Sequence, residues 1–175
     1  MKKTMNGFTL IELLVVMAIV TLLVGIMLPA LSRGLGDAKS AVCLVNLKQL
    51  VSGFHIYADD NDGRLPGEQI ETMWEELLHP YLNDRGVYAC PADADATTLE
   101  AGISYGWRDT LAVSDPASSL SGRNLGNVSR GELVLVFDSI PGWHGETVIQ
   151  AGAVDSSVRR YDHAEFYTNL DWTVH

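Results

Sequence analysis

A single long apolar segment dominates the first part of the chain. Between Leu13 and Leu31 none of the 19 residues is charged. As an α-helix this segment would extend about 28 Å, enough to cross the hydrocarbon core of a membrane. One acid, Glu12, stands at its start, and Lys2 and Lys3 precede it. Because positive charges stay on the cytoplasmic side, the pattern predicts a membrane helix whose following residues are exported.

A second pattern predicts that this helix continues beyond the membrane. Apolar residues recur at steps of four, three, four and three positions, which is one face of a helix: Cys43, Leu47, Leu50, Phe54 and Tyr57. We predict a helix from Phe8 to about Tyr57, with an amphipathic second half that packs under a globular domain. Pro29 predicts a kink, and the turn-forming run 59–63 marks the end of the helix.

The rest of the chain shows shorter periodic segments. Residues 71–82 predict a short helix with Trp74, Leu77, Leu78 and Tyr81 inward and Pro80 ending or bending it. Residues 93–131 are rich in loop-forming types. Alternating and β-rich runs predict strands at 132–137, 146–150, 158–161, 165–168 and 171–174. Helices first and strands last indicate the α+β class with an antiparallel sheet.

The net charge of the chain limits the kinds of molecule that it can bind. The chain has 175 residues, and ten of its 12 Lys and Arg and 21 of its 22 Asp and Glu follow Leu31, a formal charge of about −11 for that region. Such an acidic balance argues against binding to nucleic acid through bulk electrostatics. The roughly 144 residues outside the membrane suffice for one domain.

The run from Gly7 to Glu12, after a short basic leader, resembles the prepilin signal of type IV pilins and type II secretion pseudopilins. The resemblance implies that a prepilin peptidase cleaves between Gly7 and Phe8 and methylates Phe8. It also implies that Glu12 and Pro29 serve assembly. The expected divisions are a leader 1–7, a filament-core and transmembrane helix half 8–31, and a periplasmic domain 32–175.

Three further segments sharpen this resemblance. Residues 43–50, 57–66 and 88–93 resemble a group of secretion-type pseudopilins from planctomycete and verrucomicrobial bacteria. Two departures weaken it: Ala92 stands where that group has serine, and the tail 169–175 lacks the glycine of the group's last strand. The similarity is specific over residues 1–66 and loose beyond Asp93.

The resemblance implies a pilin-like fold and a structural role in a type II secretion pseudopilus. The implied partners are the prepilin peptidase, other pseudopilin subunits, the inner-membrane assembly platform and the membrane itself. The expected location is the inner membrane, crossed once, with the C-terminal domain in the periplasm. Two alternatives remain open: a pilin or minor pilin of a surface type IV pilus, and a membrane-anchored periplasmic binding domain that does not polymerise.

Cys43 and Cys90 are the two cysteines of the chain. In an oxidising, exported compartment such a pair predicts a disulfide, and the alternative is two buried free thiols. The spacing does not indicate zinc, because neither motif contains a second nearby cysteine.

Metal and enzyme motifs are weak. The run 59–63 fails the EF-hand pattern, because Ala58 and Gln69 occupy the first and last ligand positions. Pseudopilin resemblance implies calcium near the C-terminal strands, where Asp155, Asp162 and Asp171 lie without a motif. The five histidines are scattered, and Asp138 paired with His144 or His163 forms no recognised catalytic arrangement. We therefore expect no enzyme and no cofactor, with calcium left open.

Overall fold

The structure is a computed structural model that describes residues 9–67, 73–93, 102–140, 142–145 and 147–174. Within these ranges three α-helices and four strands are formed, besides short 3-10 turns: α1 Leu10–Asp60, α2 Trp74–Leu78, α3 His163–Leu170, β1 Tyr105–Trp107, β2 Val134–Asp138, β3 Val148–Ala153 and β4 Val158–Asp162. A long N-terminal apolar helix with a small antiparallel sheet is the α+β, pilin-like arrangement that the sequence predicts. The chain separates into two compact units, Met1–Ala38 and Lys39–His175.

Within the second unit, α1 buries the predicted face. Cys43, Leu47, Leu50 and Phe54 are fully buried, and Tyr57 is half-buried. The helix ends at Asp60, one turn later than predicted, and the chain reverses through Asp62 and Gly63, both with positive φ. A left-handed conformation of this kind favours glycine. The acidic run 59–63 therefore forms the end of a helix and a tight turn.

The four strands form an antiparallel sheet in the order β1-β2-β3-β4, so that each strand pairs with its sequence neighbour. All five residues of β2 are buried, because the sheet is covered by α1 on one face and by α3 on the other. Its register shifts between Val134 and Val136. This irregularity places the consecutive residues Leu135 and Val136 in the α1 core, while Val134 and Phe137 join the α3 core.

α1 packs tightly against the sheet at Gly152 in β3. A Cβ atom there would come within 2.4 Å of Val51 Cγ2 and 3.6 Å of the Leu47 carbonyl oxygen. Two hydrogen bonds flank this contact: His55 Nε2 lies 2.8 Å from the Val154 carbonyl oxygen, and Lys48 Nζ donates to the Ser156 carbonyl. α1 therefore packs against β3 at a glycine, which has no side chain to separate the two backbones.

Replacing Gly152 by Ala is therefore expected to lower the free energy of unfolding by about 1–3 kcal/mol, because Val51 is β-branched and cannot turn away cheaply. Urea unfolding of the full chain in detergent, followed by tryptophan fluorescence, measures the loss. The double variant Gly152→Ala/Val51→Ala should lose less than the two single losses combined, because the clashing methyl is gone. The control is Gly67→Ala, where an added Cβ meets no atom within 4 Å. Additive losses in the double variant would contradict the packing argument.

Several predicted elements differ from the structure. The strand predicted at 165–168 is wrong: these residues lie in α3, which begins where Asp162 Oδ1 accepts a hydrogen bond from Glu165 N at 2.9 Å. The strand predicted at 171–174 is also wrong, because these residues form no strand. β1 was not predicted, and the three-residue strand is defined by its pairing with the edge of β2.

The remaining elements agree within a few residues. β2, β3 and β4 correspond to the runs predicted at 132–137, 146–150 and 158–161, and Glu146 lies outside the described residues. In the helix predicted at 71–82, residues 71 and 72 lie outside the described part. The rest forms α2 and a 3-10 turn, His79–Tyr81, that contains Pro80. Leu78 is fully buried there, whereas Trp74, Leu77 and Tyr81 are half-buried.

Candidate functional site

The N-terminal segment holds the residues predicted for processing and assembly. Gly7 and Phe8 lie outside the described residues, which begin at Thr9. Glu12 stands in the first turn of α1, and the helix continues without interruption through Pro29. Because proline lacks a backbone N–H, the carbonyl of Gly25 receives no hydrogen bond from position 29.

Glu12 has a local role that the sequence analysis did not identify. Its Oε2 accepts hydrogen bonds from Thr9 N at 2.9 Å and from Thr9 Oγ1 at 2.6 Å, while Glu12 N donates to Thr9 Oγ1 at 3.4 Å. This reciprocal arrangement is a capping box, which satisfies backbone donors at the start of a helix. The Thr-x-x-Glu spacing was the available signal. Both bonds to the carboxylate end on Oε2, and Oε1 forms none among residues 9–67 and the other described ranges.

The first half of α1 exposes apolar side chains along its whole length. Leu10 is 82% exposed and Met27 is 68% exposed, and every large apolar residue from Leu10 to Leu35 is similarly uncovered. The helix is long and apolar enough to cross a membrane. Its hydroxyl groups are satisfied internally, because Thr21 Oγ1 donates to the Met17 carbonyl at 2.9 Å and Ser32 Oγ to the Pro29 carbonyl at 3.1 Å. An apolar surface of this extent indicates burial in lipid or against other helices.

The disulfide predicted between Cys43 and Cys90 is present, with the two Cα atoms 5.3 Å apart. It links α1 to the segment that follows a 3-10 turn at Arg85–Tyr88, and both cysteines are buried. One turn further along the helix, Asn46 Nδ2 donates to the Ala89 carbonyl at 3.1 Å. A covalent bond and a hydrogen bond thus hold the same segment against α1.

A buried polar cluster lies beside this disulfide. His144 Nε2 is 3.4 Å from Cys90 Sγ and 3.6 Å from Asp138 Oδ2. Burial raises the pKa of Asp138 to about 7, although a hydrogen bond from the Gln150 backbone N–H, at 3.0 Å, partly opposes the rise. Burial also lowers the pKa of His144, and the positive charge of Arg160 lowers it further. A neutral imidazole therefore stands between a sulfur and a carboxyl group.

The structure also locates the other residues that the sequence offered as candidates for catalysis or for calcium binding. His163 begins α3 and is exposed, so the pairing of Asp138 is with His144. Asp155 Oδ1 accepts from Ser157 N at 2.8 Å in the turn between β3 and β4, and Asp162 caps α3. These local bonds give both acids a structural role, and they do not test calcium binding, which the sequence left open.

Arg108, directly after β1, is fully buried and was not identified from the sequence. Its guanidinium donates five hydrogen bonds, to the carbonyl oxygens of Ser118 (2.6 Å), Asn169 (2.9 Å), Leu170 (2.9 Å) and Trp172 (2.6 Å) and to Asn169 Oδ1 (3.1 Å). Burial lowers the pKa of Arg108 to about 10, and nearby Asp171 opposes the shift, so the side chain stays charged at neutral pH. Its acceptors include the last carbonyls of α3, the negative end of the helix dipole.

The architecture and the N-terminal segment fit a membrane-anchored, pilin-like protein. The chain matches the family model described as the Prokaryotic N-terminal methylation motif over residues 2–28, a range that contains Gly7, Phe8 and Glu12 and stops just before Pro29. This match supports a type IV pilin-like or pseudopilin protein and implies processing by a prepilin peptidase. Neither a curated protein nor a solved structure shows significant similarity to the chain.

Proposed function

We propose that this protein is a structural, non-catalytic subunit of a type II secretion pseudopilus. In this proposal it matures by cleavage between Gly7 and Phe8, stays in the inner membrane with its C-terminal domain in the periplasm, and then enters a filament through α1. The observation that carries the proposal is the methylation motif at residues 2–28, which includes the start of a helix with exposed apolar side chains.

Glu12 provides the mechanism of assembly. A carboxylate inside a membrane-length apolar segment costs a few kcal/mol unless it is paired. Cleavage creates a free amine at Phe8, which a neighbouring subunit can present to Glu12. Pairing offsets the cost of burying both charges, and it places adjacent helices in one register. The capping box is compatible with this step, because its two bonds use Oε2 and leave Oε1 for the neighbour.

A surface type IV pilus remains the second candidate, because the motif and the helix are common to both kinds of filament. A secretion pseudopilus is favoured because residues 43–50, 57–66 and 88–93 resemble secretion-type pseudopilins. The cysteine pair points the same way, since many type IV pilins carry such a pair near the C-terminus and this one joins residues 43 and 90. Deleting the gene in its host distinguishes the two: loss of exported proteins supports secretion, and loss of surface fibres alone supports a pilus.

The first experiment measures the intact mass of the membrane-extracted chain after expression with and without a prepilin peptidase. The expected result is loss of residues 1–7 and addition of one methyl group in the presence of the peptidase. An unprocessed chain beside an active peptidase would overturn the proposal and favour a membrane-anchored binding domain.

The second experiment separates the charge of Glu12 from its capping role. Glu12→Gln keeps an acceptor for Thr9 but removes the charge, whereas Thr9→Val removes the hydroxyl of the capping box and keeps the charge. We expect both variants to be processed, Thr9→Val to assemble, and Glu12→Gln to lose at least tenfold in sheared or cross-linked filament, because one unpaired buried charge costs more than 1.4 kcal/mol. Normal assembly by Glu12→Gln would contradict the mechanism.

A further inference from the structure

Three side chains with metal-ligating atoms lie close together at the disulfide. Cys43 Sγ, Cys90 Sγ and one ring nitrogen of His144 all lie within 4.8 Å of one another. They come from three different segments: α1, the turn after the 3-10 helix, and the loop between β2 and β3. Asp138 Oδ2, at the end of β2, lies 3.6 Å from His144 Nε2.

The orientation of His144 distinguishes a metal site from a proton relay. In a relay, the acid contacts one ring nitrogen and the sulfur contacts the other. Here Cys90 Sγ and Asp138 Oδ2 both face Nε2, at 3.4 Å and 3.6 Å, and Nδ1 has no partner in the described part of the chain. Donor atoms that converge on one point, instead of forming a chain, are typical of coordination.

The distances are close to those of a tetrahedral zinc site. With a Zn–N length of about 2.05 Å, a Zn–S length of about 2.3 Å and a Zn–O length of about 2.1 Å, tetrahedral ligands stand about 3.5 Å apart for N···S and about 3.4 Å for N···O. The corresponding separations around His144 are 3.4 Å and 3.6 Å. The two sulfurs, which are bonded to each other, must separate to about 3.8 Å. The Asp138 carboxylate lies outside the group of donor atoms within 4.8 Å of one another, so it must also move toward the sulfurs.

The surroundings of these four side chains have two features of a metal-binding site, which are burial and a hydrogen bond that orients a ligand atom. The side chains of His144 and Asp138 are only 1% and 2% exposed, so a cation would be shielded from water. The Gln150 backbone N–H holds Asp138 Oδ2 at 3.0 Å, which orients that oxygen, and Asp138 Oδ1 has no partner among the described residues. Hydrogen bonds that orient ligands are a usual feature of metal sites.

An open pocket borders the cluster on the Cys90 side. The pocket, of about 480 Å³, has Cys90, Val42 and Pro91 in its wall, together with the acidic residues Asp84 and Asp93. A cation approaching a protein with a net charge of −10 would be attracted to this acidic rim.

We propose that, when the disulfide is reduced, Cys43, Cys90, His144 and Asp138 form a binding site for one thiophilic divalent cation, with Zn²⁺ as the preferred ion. The cation and the disulfide are then alternative occupants of the same place. A dithiol supplies two electrons and two protons, converts the disulfide to two thiols, and is itself oxidised to a disulfide. Binding of the cation then forms two metal–sulfur bonds and releases the two thiol protons. This inference does not depend on the secretion role proposed above.

The test uses the full chain in detergent, reduced under anaerobic conditions with a phosphine and freed of metal with a chelator. Cobalt(II) is added as the spectroscopic probe, and Zn²⁺ is then added as competitor. We expect one cobalt per chain, a thiolate-to-cobalt charge-transfer band, the visible spectrum of a tetrahedral ion, and displacement by Zn²⁺. The oxidised chain should give none of these signals, and absence of the bands in the reduced chain would overturn the proposal.

Variants assign the nitrogen and oxygen ligands. Asp138→Asn should weaken cobalt binding by about 10–100-fold, and His144→Ala by at least as much. The matched control is His79→Asn, a half-buried histidine outside the cluster, which should bind as tightly as the unchanged chain. Circular dichroism of each oxidised variant checks that it folds. Equal affinity in a folded His144→Ala variant would contradict the assignment.

X-ray absorption of the zinc-loaded, unsubstituted chain gives an answer that needs no variant. The expected shell contains two sulfurs, one imidazole nitrogen and one oxygen. A shell of two sulfurs and solvent oxygens without imidazole would overturn the proposal, because two thiols alone would then hold an adventitious ion.

Discussion

Replacing Arg108 by Met is expected to lower the free energy of unfolding by about 3–5 kcal/mol, because each buried acceptor left without a donor costs about 1–3 kcal/mol. The five oxygens that accept from its guanidinium would lose their donors at once. Water cannot supply replacement donors without entering the core, because the Arg108 side chain is fully buried. Three segments would be released together: the loop at Ser118, the end of α3, and the chain near Trp172.

Urea unfolding of the full chain in detergent measures this loss, and the four tryptophans, all beyond Met73, report on the second compact unit, Lys39–His175. Arg108→Lys keeps the charge but has at most three donors, so we expect a smaller loss. Arg64→Met is the matched control. Arg64 is exposed, and within the described residues its guanidinium donates one hydrogen bond, at 3.3 Å to the Gly122 carbonyl, so the loss should stay within about 0.5 kcal/mol. A similarly small loss in Arg108→Met would show that the network contributes little.

Removing the Cys43–Cys90 disulfide is expected to cost about 4 kcal/mol in the chain-entropy description, because it closes a loop with a sequence separation of 47 residues. Alanine at both positions avoids burying a hydroxyl group without a partner. Since either single change already opens the loop, Cys43→Ala, Cys90→Ala and the double variant should lose nearly the same amount.

The measurement is again urea unfolding, now comparing the double variant with the oxidised chain and with the reduced chain in the presence of a chelator. Loss of the crosslink should also increase the denaturant slope, because the unfolded chain exposes more surface. A loss below about 1 kcal/mol with an unchanged slope would contradict the prediction. If Zn²⁺ restores stability to the reduced chain but not to the double variant, the stabilisation comes from the proposed cation site.

The errors in predicting secondary structure have specific causes. Residues 165–168 contain Phe, Tyr and Thr, which favour strands in a short window. The capping pair Asp162 and Glu165 starts a helix there, and this local signal outweighs composition. β1 was missed for the opposite reason: three residues carry no periodicity, and only the edge of β2 makes them a strand.

The contacts missed in the candidate sites share another cause, because they join residues that are far apart in the sequence. Arg108 has acceptors 61, 62 and 64 positions away, and His144 contacts a sulfur 54 positions away. No spacing in the sequence indicates contacts at such separations. Thr9 is the exception, since its three-residue spacing from Glu12 is the signature of a capping box.

The sequence by itself determined the features that depend on residues close together in the chain. The uncharged run 13–31 requires a membrane or a filament core, the repeat from Cys43 to Phe54 requires a buried helix face, and the motif at residues 2–28 indicates processing. Only the tertiary structure decided how distant segments meet: Gly152 against Val51, Arg108 at the end of α3, and His144 between Cys90 and Asp138. The reason is physical: helix periodicity and capping act over a few residues, whereas packing and buried polar contacts depend on where the folded chain brings remote residues together.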